Sequence, residues 1–290
     1  MTKRTKIGLC TDSSAQLPGE LVDRFDVEVV PMTITVDGRD YLEGVDLDAD
    51  QFYAMFADGH QPTVSSSKPS PGQFAVAYEE LTARGCTEIL SIHPSAAVAG
   101  TLNAARLGAR GFDVPVRLVD SGTASFGVSC CLWSAAEAIC AGASLDQAAS
   151  VAESLAPSIG NVFTVGALDL VGVGGRLAAS PDEGSGVPVL SLRDGQVQVI
   201  RRVGMIRDAV SVIAAEAASW GEHLHVAIGE ADREARPLAD ALQCQLTNHP
   251  AVEHVVRYRV GPSVAAHTGP GTLGCFMFPA SHGRSIRGAN

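Results

Sequence analysis

A chain of 290 residues has room for about two domains, and 46% hydrophobic against 18% charged content describes a globular protein with a sizeable core, excluding a disordered chain. The formal net charge of −11 repels a phosphate backbone, and no lysine and arginine cluster interrupts it, so a nucleic-acid partner is excluded. The opening apolar run is too brief for a signal peptide and no later run approaches a membrane span, so the chain reads as cytoplasmic. Seven cysteines, an odd number without a C-x-x-C pair and mostly in apolar surroundings, read as buried reduced thiols.

The first predicted strand, Ile7 to Cys10, runs into TDSSAQLP, Thr11 to Pro18, which places small hydroxyls and Asp12 at the strand's carboxyl end, where open α/β sheets bind ligands. Asp12 suits helix capping equally well. A second strand is predicted over Val27 to Val36, ending in the turn Asp37-Gly38. Asp46, Asp48 and Asp50 then precede a short helix around Phe52 to Phe56, and they read as first-turn charges because the glycine and distal glutamate of a calcium loop are missing. The stretch Val64 to Phe74, VSSSKPSPGQF, reads as a loop, since Pro69 and Pro71 fix the backbone and Ser70 and Pro71 suit the cap and first turn of the helix that follows. Its serines stand just before a helix amino terminus, where hydroxyls and free N–H groups favour an anion. Ser65 and Lys68 have the S-x-x-K spacing of some serine enzymes, but Pro69 works against the helical turn that this chemistry needs.

Next comes a strand, Glu88 to Ile92, and then HPSAAVAGTLNAARLGA, in which Ser95 and Thr101 flank a second strand-to-helix crossing and Gly100 allows close backbone approach. A strand at Val116 to Val119 and helices over Ala124 to Ala141 and Ser144 to Leu155 complete a strand-loop-helix rhythm that implies a parallel sheet with helices on both faces. Near residue 160 the rhythm changes, and a domain boundary is placed there, giving domains 1–160 and 161–290. NVFTVGAL predicts a strand and a short helix. GVGGRL sets Arg176 among glycines, either as a surface charge on a loop or as a functional cation, but it lacks the spacing of a phosphate-binding P-loop. Val187 to Leu192, Asp194-Gly195 and Val197 to Arg201 spell a hairpin. A helix at Arg207 to Ser219, a strand at Leu224 to Ile228, a helix at Glu234 to Leu246 and a strand at Val252 to Tyr258 follow. His223 and His225 share a strand face without an evident third ligand, so no metal is expected. The end of the chain, HTGPG, puts His267 in a constrained Gly-Pro turn, Thr268 to Gly271, before a last apolar strand, which marks it as a candidate functional side chain.

Taken together, TDSSAQLP at Thr11, VVPMTI at Val29, SSKPSPGQF, the S-x-x-x-x-G-T pattern from Ser95 to Thr101, VDS at Val119, GGRL at Gly174 and HTGPG at His267 make the chain resemble the DegV family of bacterial lipid-binding proteins from Ile7 to about Phe278. The resemblance implies an α/β fold of two domains, an N-terminal three-layer α/β/α domain on a parallel sheet and a C-terminal α/β domain with a mixed sheet. It implies a long-chain fatty acid between them, its tail buried and its carboxylate presented to a separate ATP-dependent fatty acid kinase that makes an acyl phosphate for phospholipid metabolism. Carried over by motif, the carboxylate is held by Ser66, where the family usually has threonine, with Ser95 and His267. Arg176 neutralises charge, and Ser67, Gly100, Thr101, Thr268 and Gly269 form the supporting loops. On this reading the protein is not itself catalytic and needs no cofactor and no metal.

The chain departs from the family's pattern at several places. Lys68 stands where glutamine is common, Ala99 where serine precedes Gly-Thr, Pro94 sits before Ser95, and Gly172, Val173 and Val187 replace basic positions near GGR. Two other readings compete with the kinase-linked carrier: a serine acyl hydrolase using Ser95 or Ser66 with His267, which lacks a G-x-S-x-G elbow, and a lipid-linked regulatory protein without a kinase.

Overall fold

The structure, a computed structural model, describes residues 5–166, 185–193 and 196–280. These divide into two compact units, one holding the chain up to Thr33 and Ser67–Pro157, the other Ile34–Ser66 and Ser158–Ala280. The chain passes from the first unit to the second between Pro157 and Ser158. The grouping of Ile34–Ser66 with the later residues departs from a single cut, and local patterning carries no signal for it, because those residues meet their partners some 200 residues later in the chain, as the contact between Tyr53 and Val260 illustrates.

The first unit is built on four parallel strands in the order β2-β1-β6-β7: β1 (Ile7–Asp12), β2 (Val27–Val30), β6 (Glu88–His93) and β7 (Val116–Asp120). Helices α3 (Pro71–Ala83) and α4 (Thr101–Gly108) cover one face and α5 (Phe126–Cys140) and α6 (Leu145–Leu155) the other, the expected three layers. A short helix α1 (Gly19–Phe25) joins β1 to β2. Strand alternation sorts the core: Cys10, Ile89, Phe74, Tyr78, Leu81 and Ala105 pack on the α3 and α4 side, where each large side chain taken from water stabilises by about 1.5–3 kcal/mol. Helix α5 is buried almost all round, which its Gly, Ala, Ser and Cys content permits by letting its neighbours approach closely. Helix α3 starts as its sequence predicts, with a capping box between Ser70 and Gln73 and proline in the first turn.

The second unit carries a mixed six-stranded sheet in the order β10-β9-β8-β13-β11-β12: β8 (Gly160–Thr164), β9 (Val187–Arg193), β10 (Gln196–Val203), β11 (Leu224–Glu230), β12 (Val252–Arg259) and β13 (Leu273–Pro279). Only β11 and β12 run parallel; the predicted hairpin is present as the antiparallel pair β9 and β10, with Asp194 and Gly195 outside the described residues. Helices α7 (Ile206–Ala218) and α8 (Arg236–Thr247) close one face over Val162, Val189, Val226, Ile228 and Cys275, while Val165, Leu190 and Val197 form a separate cluster.

A small sheet in the order β4-β3-β5, made of β3 (Thr33–Val36), β4 (Arg39–Leu42) and β5 (Val64–Ser67), and the helix α2 (Ala49–Ala54) belong with this unit. Two sequence expectations are corrected here. The strand predicted over Val27 to Val36 is broken at Pro31, which has no N–H to donate, into β2 of the parallel sheet and β3 of the small one. Val64–Ser67, expected as loop, is an edge strand; the proline restriction acts only from Lys68 onward, and an edge strand leaves one side's backbone groups free of a ladder. Asp48 and Asp50 are, as expected, helix-start charges, Asp48 forming a capping box with Gln51.

Candidate functional site

In the parallel sheet the chain steps from β1 outward to β2, then returns to the other side of β1 as β6. The order therefore reverses between β1 and β6, and the crevice beyond their carboxyl ends is where open sheets of this kind receive ligands. The two strands end in Asp12 and His93, both wholly buried. Oδ2 of Asp12 lies 2.8 Å from Nδ1 of His93, and Nε2 of His93 lies 2.7 Å from the Ser91 hydroxyl, itself 2.9 Å from the Tyr78 hydroxyl. An ionised carboxylate only accepts, so the network assigns the imidazole proton to Nδ1; Nε2 then accepts from Ser91 and Ser91 from Tyr78. Burial pushes the Tyr78 hydroxyl and the Cys10 thiol well above their ordinary ranges. Asp12 also accepts from the backbone N–H of Ser14, 3.2 Å away, and from its hydroxyl, so capping and a second bond are both its roles.

The polar chain ties together the loops that leave the strands. The carbonyl of His93 accepts from the N–H of Ser121 at 3.1 Å, and two residues on the N–H of Ser95 donates to Thr123 at 2.8 Å. Ser95 opens a tight turn: its carbonyl accepts from Val98 and Ala99, its hydroxyl accepts from the Ala97 N–H at 3.3 Å, and Asp120 accepts from the Ala96 N–H at 3.1 Å. Accepting from Ala97 leaves the half-buried Ser95 hydroxyl with its own proton to donate. The turn leads to Gly100, which precedes α4, and to Thr101, buried in its first turn. Gly100 was expected to admit a backbone; its φ of −86° asks for no glycine, and what a Cβ would meet is the side chain of Lys68, its Cδ and Cε at 3.2 Å and Nζ at 3.4 Å. An ammonium thus lies at the amino end of α4, where the helix already exposes unpaired N–H groups.

The remaining expected residues belong to the second unit or border it. Ser66 is half-buried near the end of β5, followed by exposed Ser67, the first residue of the chain's return to the first unit. His267 was expected in a turn; instead it occupies the last turn of a short helix, α9 (Pro262–Thr268), because Pro262 opens a helix that runs until Gly269 ends it at a φ of 73°. His267 and Thr268 are half-buried, and Gly269 N–H closes on the Ala265 carbonyl at 2.8 Å. The loop after the helix packs so tightly that a Cβ at Gly166 would lie 2.0 Å from the Pro270 carbonyl oxygen, and Asp232 accepts from the Gly271 N–H at 2.8 Å. Arg176, with Gly172, Val173, Gly174 and Gly175, lies outside the described residues.

Sequence reasoning passed over the chain from Asp12 through His93 to Tyr78. A signal existed: Ser91 and His93 alternate on one face of an otherwise apolar strand, and buried polar groups at that spacing demand partners. The arrangement contains the serine, histidine and carboxylate of an acyl hydrolase, but on residues other than those expected, and Ser91 is 0% exposed with its oxygen engaged by Tyr78. As it stands it holds strand ends together rather than meeting a substrate. Among the described residues no group of three or more His, Cys, Asp or Glu is arranged to hold a metal, and no helix is long and apolar enough to cross a membrane.

A family model described as "Uncharacterised protein, DegV family" matches residues 6–280. A DegV domain-containing protein of Streptomyces coelicolor is 33% identical over 277 residues, covering 92% of this chain and 96% of that protein. Another, from Deinococcus radiodurans, is 31% identical over 288 residues, covering 95% of this chain and 99% of that protein. Among solved structures, a fatty-acid-binding DegV family protein from Thermus thermophilus superposes with a TM-score of 0.82 at 28% identity, covering 95% of this chain and 100% of that one. The Bacillus subtilis fatty acid binding protein DegV shares the fold with a TM-score of 0.80 at 24% identity, over 94% of this chain and 99% of that one.

Proposed function

The chain belongs to the DegV family, and from that premise we propose that it binds a long-chain fatty acid and presents the carboxylate. The observation that carries this reading is the likeness to the fatty-acid-binding Thermus thermophilus protein over 95% of the chain, with a strand-order reversal that opens at the Ser95 turn. The Ser95 hydroxyl, with a proton to give, suits a carboxylate oxygen; Ser66 and His267 supply the other donors, with Ser67, Gly100, Thr101, Thr268 and Gly269 shaping the loops around them. Burying about 14 methylenes at about 0.8 kcal/mol each stabilises the complex by roughly 11 kcal/mol before ordering costs, so the head group can react while the tail holds on. On this reading the protein is a carrier and not a catalyst, needs no cofactor, works in the cytoplasm and hands its ligand to an ATP-dependent acyl kinase, with Arg176 offsetting the charge of the acyl phosphate.

Native and denaturing mass spectrometry of protein purified from cells should reveal an acyl species, and added palmitate should raise the melting temperature. Absence of both ends the reading. The kinase step is tested separately by incubating the palmitate complex with ATP and an acyl kinase that serves other family members; acyl phosphate formation supports it. A complex that stays unphosphorylated leaves a lipid-linked regulatory protein as the reading.

A further inference from the structure

We infer that Glu43 is a positioning residue for His267, an inference that rests on the fatty-acid reading above. Glu43 follows β4 and is 6% exposed, and its Oε1 accepts two hydrogen bonds from Ser263, one from the backbone N–H and one from the hydroxyl, both at 2.9 Å. Ser263, 4% exposed, is the second residue of α9, the helix whose last turn carries His267. That N–H is one of the four that a helix cannot satisfy internally, and the residue before the helix, Gly261, has no side chain to cap it. A carboxylate brought from 220 residues away takes the place of the missing cap and sets a negative charge on the positive end of the helix.

Three features make this contact a determinant of where the imidazole sits. A helix of seven residues does not persist on its own, so its position follows its anchors. Ser263 and His267 are four residues apart, hence on one face and about 6 Å apart along the axis, so the anchored face is the face that carries the imidazole. The anchor is itself fixed: Glu43 sits in a turn closed by Gly44 N–H to Leu47 at 3.0 Å and by Val45 and Asp46 N–H groups to Leu42 at 3.1 Å. The approach to the helix is held too, by the Tyr53 hydroxyl on the Val260 carbonyl and by Arg259 on Asp50, each at 2.8 Å. At the other end, the contact of Pro270 with Gly166 stops the helix from sliding.

The test is a double-mutant cycle on palmitate affinity, read together with the His267 ring signals by nitrogen-edited NMR in ligand-free protein. Glu43→Leu removes the acceptor and should weaken palmitate binding about tenfold, while Glu43→Gln keeps an acceptor oxygen and should lose about threefold or less. In a His267→Ala background, Glu43→Leu should change affinity by less than about twofold, because the group it positions is gone. The His267 ring signals should move in Glu43→Leu and return most of the way in Glu43→Gln. Should Glu43→Leu fail to fold, Ser263→Ala, which deletes the hydroxyl bond alone, carries the same cycle. Unmoved ring signals, or a loss of affinity equal in both backgrounds, would overturn the inference and leave Glu43 a plain cap. If the unmodified protein binds no palmitate, the fatty-acid reading falls, and the ring signals alone still decide whether Glu43 places His267.

Discussion

Asp12 and His93 stand at the carboxyl ends of adjacent parallel strands with 2.8 Å between carboxylate and imidazole, and neither side chain touches solvent. Removing one member leaves a buried polar group with nothing to pair it. Asp12→Ala, which removes a charged acceptor from His93 and Ser14, should therefore cost about 1.5–3 kcal/mol, against about 1–2 kcal/mol for Ser91→Ala, whose partners lose a single neutral bond each. Urea unfolding at pH 7 gives both numbers; equal and small losses would show that the chain of bonds is replaceable by packing.

The Ser95 hydroxyl takes part in the loop only as an acceptor from Ala97, so its deletion should leave the fold almost untouched. Palmitate affinity is expected to fall by about 1–3 kcal/mol in Ser95→Ala and in His267→Ala, with a smaller loss in Ser66→Ala. Calorimetric titration measures these, and unchanged affinity in the first two would move the carboxylate elsewhere.

Gly166 is held against the Pro270 carbonyl by contact, and the 2.0 Å approach of an added Cβ leaves no room for a methyl group. Gly166→Ala should shift the turn after α9, lower the melting temperature by several degrees and cut palmitate binding, whereas Gly38→Ala, with open space but a φ of 80°, should cost stability alone.

Five thiols, Cys10, Cys86, Cys130, Cys131 and Cys275, are buried, and burial pushes all of them up, Cys131 and Cys275 to about 12. At pH 8 the thiolate that reacts is scarce at these sites. Iodoacetamide should add two groups to the folded protein, on exposed Cys140 and Cys244, and seven in denaturant, counted by intact mass. Rapid labelling of a third cysteine would reveal local opening.

Much of the fold was legible because its signals are local. The alternation of apolar strands with capped helices in the first unit, the Ser70 cap with Pro71 and the β9 and β10 hairpin each follow from a few neighbouring residues. What could not be read depends on distant partners. Val64–Ser67 becomes a strand only because β3 offers an edge, and the Gly-Pro signal around His267 concealed a helix whose amino end is completed by Glu43. Of the candidate site, Ser95 and its turn were visible as a motif. The buried chain behind it was not, since Asp12 and His93 are 81 residues apart and only the parallel pairing of β1 and β6 makes them neighbours.

The excursion of Ile34–Ser66 into the second unit has a consequence for the nascent chain. On the ribosome these residues emerge early, yet Asp50, Tyr53 and Glu43 find their partners only when Arg259, Val260 and Ser263 have been made. At about 5–20 residues per second, that delay lasts about 10–40 seconds, during which Phe52, wholly buried in the finished fold, has no core to enter. The first unit has all its strands once residue 120 is made, and it is free to fold around the waiting segment as a loop. Chaperone contact during synthesis is thus expected to concentrate on residues 34–66, and refolding from denaturant should show a slow phase belonging to the closure of this long loop rather than to the parallel sheet.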